Sequence, residues 1–289
     1  MQPSEEERPP VLSVVLALFA VYIVWGSTYL AMRIALETVP PFLMAGPRFV
    51  VAGSAMFAFL RVRGAAAPTR QEWVASAKVG LLLLTFGNGA VALAEQSVSS
   101  GVAAVIVSSM PLWAAIFGKF FGQTPGRREW LGLMLGFGGV VVLNLGGDLS
   151  LDRRGLVCLL APISWALGSV WGKRLPLPKG GMATAAQMIC GGAAMLVLAG
   201  VTGERFTQVP SFRSLGAMAY LAVFGSIVAF TAYTWLLRNT RPALATSYAY
   251  VNPLVALLLG RFIGGEPLGI TVLAAAAISL AGVALIARR

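Results

Sequence analysis

Histidine is missing from this sequence, and cysteine and charged residues are scarce. The 289 residues include no His, 2 Cys, 11 Asp or Glu and 22 Lys or Arg. Without histidine, the commonest metal ligand and proton shuttle is absent. Cys158 and Cys190 both lie inside apolar runs, which is typical of small buried residues and not of a disulfide or metal framework. We therefore predict that the chain holds no metal and no cofactor.

The shortage of charge excludes an ordinary soluble domain. Charged residues make up 11% of the chain, whereas they make up about a quarter of an average soluble domain. Hydrophobic residues reach 57%, and the mean hydropathy is +0.80. Such a chain cannot cover a globular surface with polar groups, so its natural solvent is lipid.

The net charge of +11 does not indicate a nucleic-acid partner. The Lys and Arg residues sit mostly in short loops between apolar runs, and no basic stripe is interleaved with aromatic residues. The sequence also lacks the Gly-x-x-x-x-Gly-Lys-Ser/Thr loop that cradles nucleotide phosphates. A nucleic-acid-binding protein and an ATP-driven pump are therefore both disfavoured.

The apolar residues are gathered into runs of membrane-spanning length. A helix that crosses the hydrocarbon core needs about 20 mostly apolar residues. Ten runs approach that length, near 11–33, 42–60, 74–94, 99–118, 130–146, 155–173, 182–202, 214–237, 243–262 and 268–287. Because lipid requires backbone groups to be satisfied internally, runs this long indicate helices and not barrel strands. We predict an all-α polytopic membrane protein with ten transmembrane helices.

The positive charges predict how these helices are oriented. Of the 22 Lys and Arg residues, 15 fall on the side that holds both termini and 6 on the opposite side. Arg48 lies within a run. By the positive-inside rule, both termini are cytoplasmic. Residues 1–10 are rich in acidic residues and precede no obvious cleavage site, so we predict a short disordered cytoplasmic tail.

One irregular phrase occurs twice in the chain. "PLWAAIFGKFFGQTP", which begins at Pro111, recurs as "PLVALLLGRFIGGEP", which begins at Pro253, 142 residues later. Seven of the fifteen positions are identical, and they include glycine and proline as well as aliphatic residues. Each copy belongs to a set of five apolar runs, and an odd number places the second set upside down. We therefore predict two five-helix inverted-topology repeats, residues 11–146 and 151–289.

Four stretches resemble a known family of transporters. They are "WGSTYLAMRIAL", "AEQSVSSGVAAVIVSSMPLW", "AYTWLLRNTRPALATSYAYVNPLVALLLG" and "GGEPLG". The chain resembles the EamA-type branch of the drug/metabolite transporter superfamily over about 11–287, and within it the YddG-type amino-acid exporters. This resemblance implies a ten-helix exporter of amino acids and related metabolites in the bacterial inner membrane. The phrase "GQTP" departs from the family, whose members often carry an acidic residue there.

Polar and aromatic residues in the middle of the runs are the candidates for a substrate cavity. An ammonium group can rest on aromatic faces, and a carboxylate can accept hydrogen bonds from amide and hydroxyl groups. Transporters place such groups near the midplane between repeats. The alternative is that these residues only join or space neighbouring helices. The candidates are Tyr22, Trp25, Tyr29, Asn88, Ser108, Trp165, Ser169, Tyr233, Tyr248 and Asn252.

Two charges and two prolines inside the runs add to this list. Arg48 and Glu95 fall at similar depth, and a charge within a membrane is costly and typical of a functional site. We predict that they pair or flank the outer mouth of the pathway; the alternative is that Arg48 reaches the headgroups. Pro111 and Pro253 each follow a polar patch and predict a helix kink, which either moves during transport or only shapes the space.

The leading interpretation is a secondary transporter that exports amino acids, including aromatic and apolar ones, by alternating access. Sugars, carboxylates, amines and drugs remain alternative cargoes. An intramembrane enzyme is disfavoured because no cluster of acids or nucleophile–base pair is visible. A channel or signalling protein is a third class, and saturable counterflow would exclude a simple channel. The sequence leaves the coupling ion and the oligomeric state open, and a monomer is compatible with it.

Overall fold

The structure is a computed structural model that describes residues 9–96, 103, 106–143, 153–264 and 270–287. These residues form helices, with no strand among them. In chain order, the helices are α1 (Val11–Ala35), α2 (Pro41–Val62), α3 (Arg70–Ala94), α4 (Met110–Phe120), α5 (Arg127–Leu143), α6 (Arg153–Cys158 and Leu160–Trp171), α7 (Gly181–Val201), α8 (Phe212–Asn239), α9 (Pro242–Thr246 and Tyr248–Gly264) and α10 (Ile270–Ala287).

Six helices of the described chain are long and apolar enough to cross a membrane. They are α1, α2, α3, α7, α8 and the stretch Leu156–Arg174, which includes the second part of α6. Large apolar side chains such as Phe19, Phe59 and Val197 are exposed on the surface, as lipid contact requires. The all-helical membrane protein is confirmed for the described residues, and the count of ten spans stays a prediction.

Parts of the sequence-based predictions fall outside the described residues. The start of the run near 99–118 and the last three residues of the run near 130–146 lie there, as do residues 1–8 of the predicted tail. Within the described part, the helices overlap the predicted runs and differ by several residues at their ends.

Two pairs of helices pack closely because glycines line the contact. A Cβ atom on Gly282 of α10 would lie 2.5 Å from the backbone nitrogen of Gly136 of α5. A Cβ atom on Gly192 of α7 would lie 2.8 Å from the backbone nitrogen of Val50 of α2. Small residues that let backbones approach are the usual basis of helix association in membranes.

Helices α1 and α6 have similar sets of neighbours. Helix α1 packs against α8 and α9, and α6 packs against α3 and α4. Helices α3 and α8 each contain a π-helical segment, Leu81–Asn88 and Leu221–Ala229, whose starts are 140 residues apart. A π-helical segment loosens the regular hydrogen-bond pattern and often occurs at a functional site. Helices α1, α3, α4, α6, α8 and α9 therefore converge on a common centre.

The start of α2 is capped by a side chain from a distant loop. Pro40 and Pro41 open the helix, and Pro40 has no side chain that could satisfy the first amide groups. The backbone N–H groups of Phe42 and Leu43 instead donate to the carboxylate of Glu204, with N–O distances of 3.0 and 2.9 Å. Glu204 follows α7, so this contact ties the two halves together.

Replacing Glu204 with alanine is expected to lower the free energy of unfolding by about 1 kcal/mol, because two helix-end amides lose their acceptor. Thermal unfolding of the purified protein in detergent checks this. Glu37→Ala is the matched control, since its contact to Arg213 is long, at 3.6 Å, and exposed. Equal melting temperatures for the two variants would contradict a capping role.

Candidate functional site

Five aromatic side chains form a cluster where α1, α6, α8 and α9 meet. The Trp25 ring centroid lies 4.6 Å from that of Tyr248 and 5.6 Å from that of Trp165. Tyr233 and Phe230 of α8 complete the cluster, with the Tyr233 centroid 5.1 Å from that of Trp25. Edge-to-face contacts at these distances are favourable for aromatic rings. The cluster is built from residues far apart in the sequence.

A cavity of about 70 Å³ opens beside this cluster. We call it the aromatic cavity. It is lined by Trp25, Thr28, Tyr29, Met32, Arg48, Phe49, Leu84, Gly87, Asn88, Val91, Val107, Met110, Ala161, Pro162, Trp165, Gly225, Phe230, Tyr248 and Asn252. Seven of the side chains proposed from the sequence are thus brought together here.

The two π-helical segments supply polar groups to the cavity. Asn88 is the last residue of the segment in α3, and Gly225 lies inside the segment in α8. The indole Nε1 of Trp25 donates a hydrogen bond to the carbonyl oxygen of Gly225 at 3.0 Å. This bond fixes the orientation of the Trp25 ring at the cavity wall.

Arg48 is the one charged side chain among the described residues that line the aromatic cavity. It is 6% exposed, and its guanidinium lies 4.4 Å above the ring of Phe49. Its Nη2 donates to Oδ1 of Asn88 at 2.9 Å. Its Nε and Nη1 are buried and have no hydrogen-bond partner in the described part of the chain. A buried guanidinium with spare donors is suited to an anionic ligand group.

Glu95 does not line the cavity, although it lies near Arg48. Each charge acts electrostatically on the other, yet the ion pairs of the described residues do not include them. One carboxylate oxygen of Glu95 is buried without a hydrogen-bond partner in the described chain. The direct partner of Arg48 is Asn88, so a flanking position fits the geometry better than a salt bridge.

The amide of Asn252 reaches both α1 and its own helix. Oriented with its nitrogen toward the carbonyl groups, it donates to the backbone oxygen of Tyr22 at 3.2 Å and to that of Tyr248 at 3.1 Å. Tyr22 lies outside the cavity lining, and its hydroxyl is 2.7 Å from Oγ of Ser247. These contacts hold α1 against α9.

Three further candidates, Ser108, Pro111 and Pro253, lie near breaks in the helices. Ser108 is fully buried beside a turn at Ser109, and Pro111 is the second residue of α4. Pro253 lies inside the second part of α9, while the break in that helix falls at Ser247. The break at Ser109 therefore lies two residues before Pro111, and the break at Ser247 lies six residues before Pro253.

Tyr233 joins two other candidates in a closed hydrogen-bond network. Trp165 Nε1 donates to its hydroxyl at 3.0 Å, and that hydroxyl is 2.6 Å from Oγ of Ser169. Ser169 in turn donates to the backbone oxygen of Trp165 at 2.7 Å. Tyr233 is 0% exposed. Such a satisfied polar network in a buried place holds its members in a unique arrangement.

A second cavity, of about 240 Å³, lies on the other side of this network. We call it the basic cavity. Its lining residues are Val79, Leu83, Gly168, Ser169, Gly172, Lys173, Leu175, Leu177, Pro178, Lys179, Gln187, Thr234, Leu237 and Arg238. Along α6, Trp165 lines the aromatic cavity and Ser169, one turn later, lines the basic cavity. Along α8, Phe230 lines the aromatic cavity and Thr234 lines the basic cavity, with Tyr233 between them.

Several residues of both cavities were not predicted from the sequence. Thr28 and Phe230 line the aromatic cavity three residues from candidates on the same helix face, which is a signal that helical spacing could have supplied. Lys173, Lys179 and Arg238 were counted only as markers of the cytoplasmic side. Their meeting around one cavity depends on how α6, α7 and α8 pack.

Long apolar helices around internal cavities lined by polar and aromatic side chains are the features of a membrane transporter for small molecules. The sequence matches the model of the EamA-like transporter family twice, over residues 12–145 and 154–288. The chain belongs to the EamA-like transporter family, within the drug/metabolite transporter superfamily. The resemblance found in the sequence is thus confirmed at the level of the family.

Individual relatives agree with this membership. The inner membrane transporter YedA of Escherichia coli (strain K12) is 49% identical over 254 residues, which cover 87% of this chain and 83% of YedA. The transporter sll0355 of Synechocystis is 28% identical over 299 residues, which cover 95% of this chain and 89% of sll0355. Neither name states a substrate, so the likeness to YddG-type exporters stays a prediction.

A protein of known crystal structure has the same fold. Its TM-score to this chain is 0.78, and the alignment covers 95% of this chain and 97% of the other. The sequence identity is 20%, so this likeness shows the fold alone.

Proposed function

We propose that the chain is a secondary transporter that exports amino acids, including aromatic and apolar ones, by alternating access. The observation that supports this most directly is the pair of cavities that follow one another along α6 and α8 with the Tyr233 network between them. A site that faces the two sides of the membrane in turn needs an opening toward each side and a barrier that closes one of them at a time.

The aromatic cavity supplies the chemistry for an amino acid. The spare donors of Arg48, with Asn88 beside them, suit the carboxylate of the solute. The rings of Trp25, Trp165 and Tyr248 suit its ammonium group and an apolar side chain. A cavity wall with one charged side chain and several aromatic rings binds many different solutes with low affinity, as an exporter requires.

We further propose that the two halves are inverted-topology repeats in the bacterial inner membrane, with both termini in the cytoplasm. The two matches to one family model, the corresponding packing of α1 and α6, and the two π-helical segments support the repeat. The positive-inside count supports the orientation, and the name of YedA supports the membrane. The basic cavity then faces the cytoplasm.

Counterflow in reconstituted vesicles tests the function. Proteoliposomes loaded with unlabelled L-phenylalanine are expected to accumulate external labelled L-phenylalanine with saturable kinetics. Runs with and without a pH gradient decide whether protons are coupled. A panel of sugars, carboxylates, amines and cationic drugs serves as competitors. Accumulation of one of these in place of every amino acid tested would overturn the proposed cargo.

Trp25→Ala is expected to raise the KM for L-phenylalanine about tenfold, because the ring that faces both the solute and the aromatic cluster is lost. Trp25→Phe should fall between the wild type and the alanine variant. Trp73→Ala is the control, since Trp73 packs on Phe57 away from both cavities. Equal effects of the two alanine variants would contradict a role in binding.

A further inference from the structure

The described residues that line the basic cavity give it a positive rim. Lys173 and Lys179 come from the segment that connects α6 to α7, and Arg238 lies near the end of α8. No Asp or Glu is among the described residues that line this cavity. A concave surface lined by charges of one sign focuses the electric field and concentrates counter-ions.

The known partners of these cations are neutral. Lys173 Nζ donates to the backbone oxygen of Thr240 at 2.8 Å. Arg238 donates to the backbone oxygens of Pro178 at 2.9 Å and of Gly180 at 3.2 Å. Carbonyl oxygens fix the positions of the two side chains but carry no negative charge, so the positive charge of the rim stays available to a ligand.

The deeper wall of the same cavity is polar and neutral. Gln187 is 3% exposed, and its Oε1 accepts no hydrogen bond in the described part of the chain. The hydroxyl of Thr234, which also lines the cavity, is 2.7 Å from that of Thr184 on α7. This wall differs from the rings of the aromatic cavity because it offers acceptors to a donor group of a solute.

We propose that the basic cavity is an entry site for carboxylate-bearing solutes, held by Lys173, Lys179 and Arg238 before they pass the Tyr233 network. The solute carboxylate faces the rim and its ammonium group faces Gln187 and Thr234. This proposal rests on the proposed function and adds a cytoplasmic selection step to it. Cations in an ordinary cytoplasmic loop serve only to orient the protein in the membrane. These three instead surround one concave space, in whose wall the buried Oε1 of Gln187 has no hydrogen-bond partner among the described residues.

A local labelling experiment tests occupancy without requiring transport. Lys179→Cys is introduced into a chain in which Cys158 and Cys190 are replaced by alanine, and the protein is reconstituted in phosphatidylcholine vesicles. Millimolar L-phenylalanine is expected to slow the reaction of the new thiol with a charged thiol reagent several-fold. L-Phenylalaninamide, which lacks the carboxylate, is expected to have no effect. Arg70→Cys, on the same side and outside the lining, is the control.

Transport kinetics test whether the site matters for selection. Lys179→Glu is expected to raise the KM for L-phenylalanine about fivefold when the solute is supplied from the basic side, with little change in kcat. The KM for L-phenylalaninamide should not rise. Arg70→Glu controls for the general surface charge. An equal rise for the acid and the amide, or for both glutamate variants, would overturn the entry site.

The outcomes separate this proposal from the function itself. Protection by L-phenylalanine without any counterflow keeps the entry site and refutes the transport proposal. If counterflow occurs but L-phenylalanine does not protect the thiol of Lys179→Cys and the KM of Lys179→Glu is unchanged, the entry site is refuted and the transport proposal is kept. Protection by added phosphatidylglycerol in place of L-phenylalanine would assign the cations to lipid headgroups and also overturn the entry site.

Discussion

Replacing Arg48 with methionine is expected to lower kcat/KM for L-phenylalanine about 100-fold, because the solute carboxylate loses a buried charged partner. The same change should leave the melting temperature unchanged or raise it. Methionine fills a similar volume, and it removes a charge whose Nε and Nη1 have no partner among the described residues. The expected result is therefore a loss of transport without a loss of stability.

The Arg48→Met experiment is informative because transport is expected to fall while the melting temperature is expected to stay the same or rise. A residue that only stabilises the fold would lower both quantities when it is removed. Arg48 instead is only 6% exposed, and among the described residues its side chain makes one hydrogen bond, to Asn88. This arrangement is costly unless a ligand completes it. Functional sites often retain groups that stability alone would not favour.

Transport in proteoliposomes and thermal unfolding in detergent measure the two quantities for Arg48→Met. Arg48→Lys keeps the charge and should recover part of the transport, although it loses the planar donor set. Arg33→Met is the control, because Arg33 is an exposed cation near the end of α1 and lies outside both cavities. A lower melting temperature for Arg48→Met would indicate a structural role and contradict the assignment to the carboxylate.

Replacing Tyr233 with phenylalanine is expected to make the basic cavity about tenfold more accessible, because the barrier loses its hydrogen bonds to Trp165 and Ser169 while the ring stays in place. A cysteine at Leu237, in a chain without Cys158 and Cys190, should react about tenfold faster with an impermeant thiol reagent added from the basic side. The wild-type network ties α6 to α8, so its loss favours the conformer in which these helices separate.

A second reporter shows whether access alternates. A cysteine at Val91, which lines the aromatic cavity, should react more slowly or unchanged in the Tyr233→Phe background. Tyr250→Phe is the matched control, because Tyr250 is equally buried and its hydroxyl donates to the backbone oxygen of Leu133, remote from both cavities. Unchanged rates at both reporters would refute the barrier, and faster rates at both would keep the barrier and contradict alternation.

In the pathway that we propose, the network of Tyr233 and the charge of Arg48 act at successive steps for one solute. A carboxylate held at the rim by Lys179 would leave it, pass Tyr233 and reach Arg48. Both ends of this path are positive and the middle is neutral. The two variants therefore affect different quantities, the equilibrium between conformers for Tyr233 and the affinity of the aromatic cavity for Arg48.

Much of the aromatic cavity could be proposed from the sequence because the signal was local. Trp25 and Tyr29 stand deep in an apolar run, where a polar or aromatic side chain is costly or unusual unless it faces other protein. Asn88 and Asn252 were found in the same way. Tyr22 and Ser108 gave the same signal and line neither cavity, since burial in a helix contact and burial in a cavity wall leave the same pattern in a sequence.

The sequence by itself determined that the chain is a helical membrane protein, because lipid imposes a length and an apolar composition on each span separately. Its motifs resemble the EamA-type transporters, and the match to the family model confirms that membership. Only the tertiary structure decided that Arg48 bonds Asn88, that Tyr233 stands between two cavities, and that two cations after α6 and one near the end of α8 line the same cavity. Each of these contacts depends on which helices are neighbours and on how each helix is rotated about its axis. The neighbours and the rotations are set by the close packing of glycines and of side chains from distant positions in the sequence. A charge or a hydroxyl group therefore acquires its partner only when the helices pack.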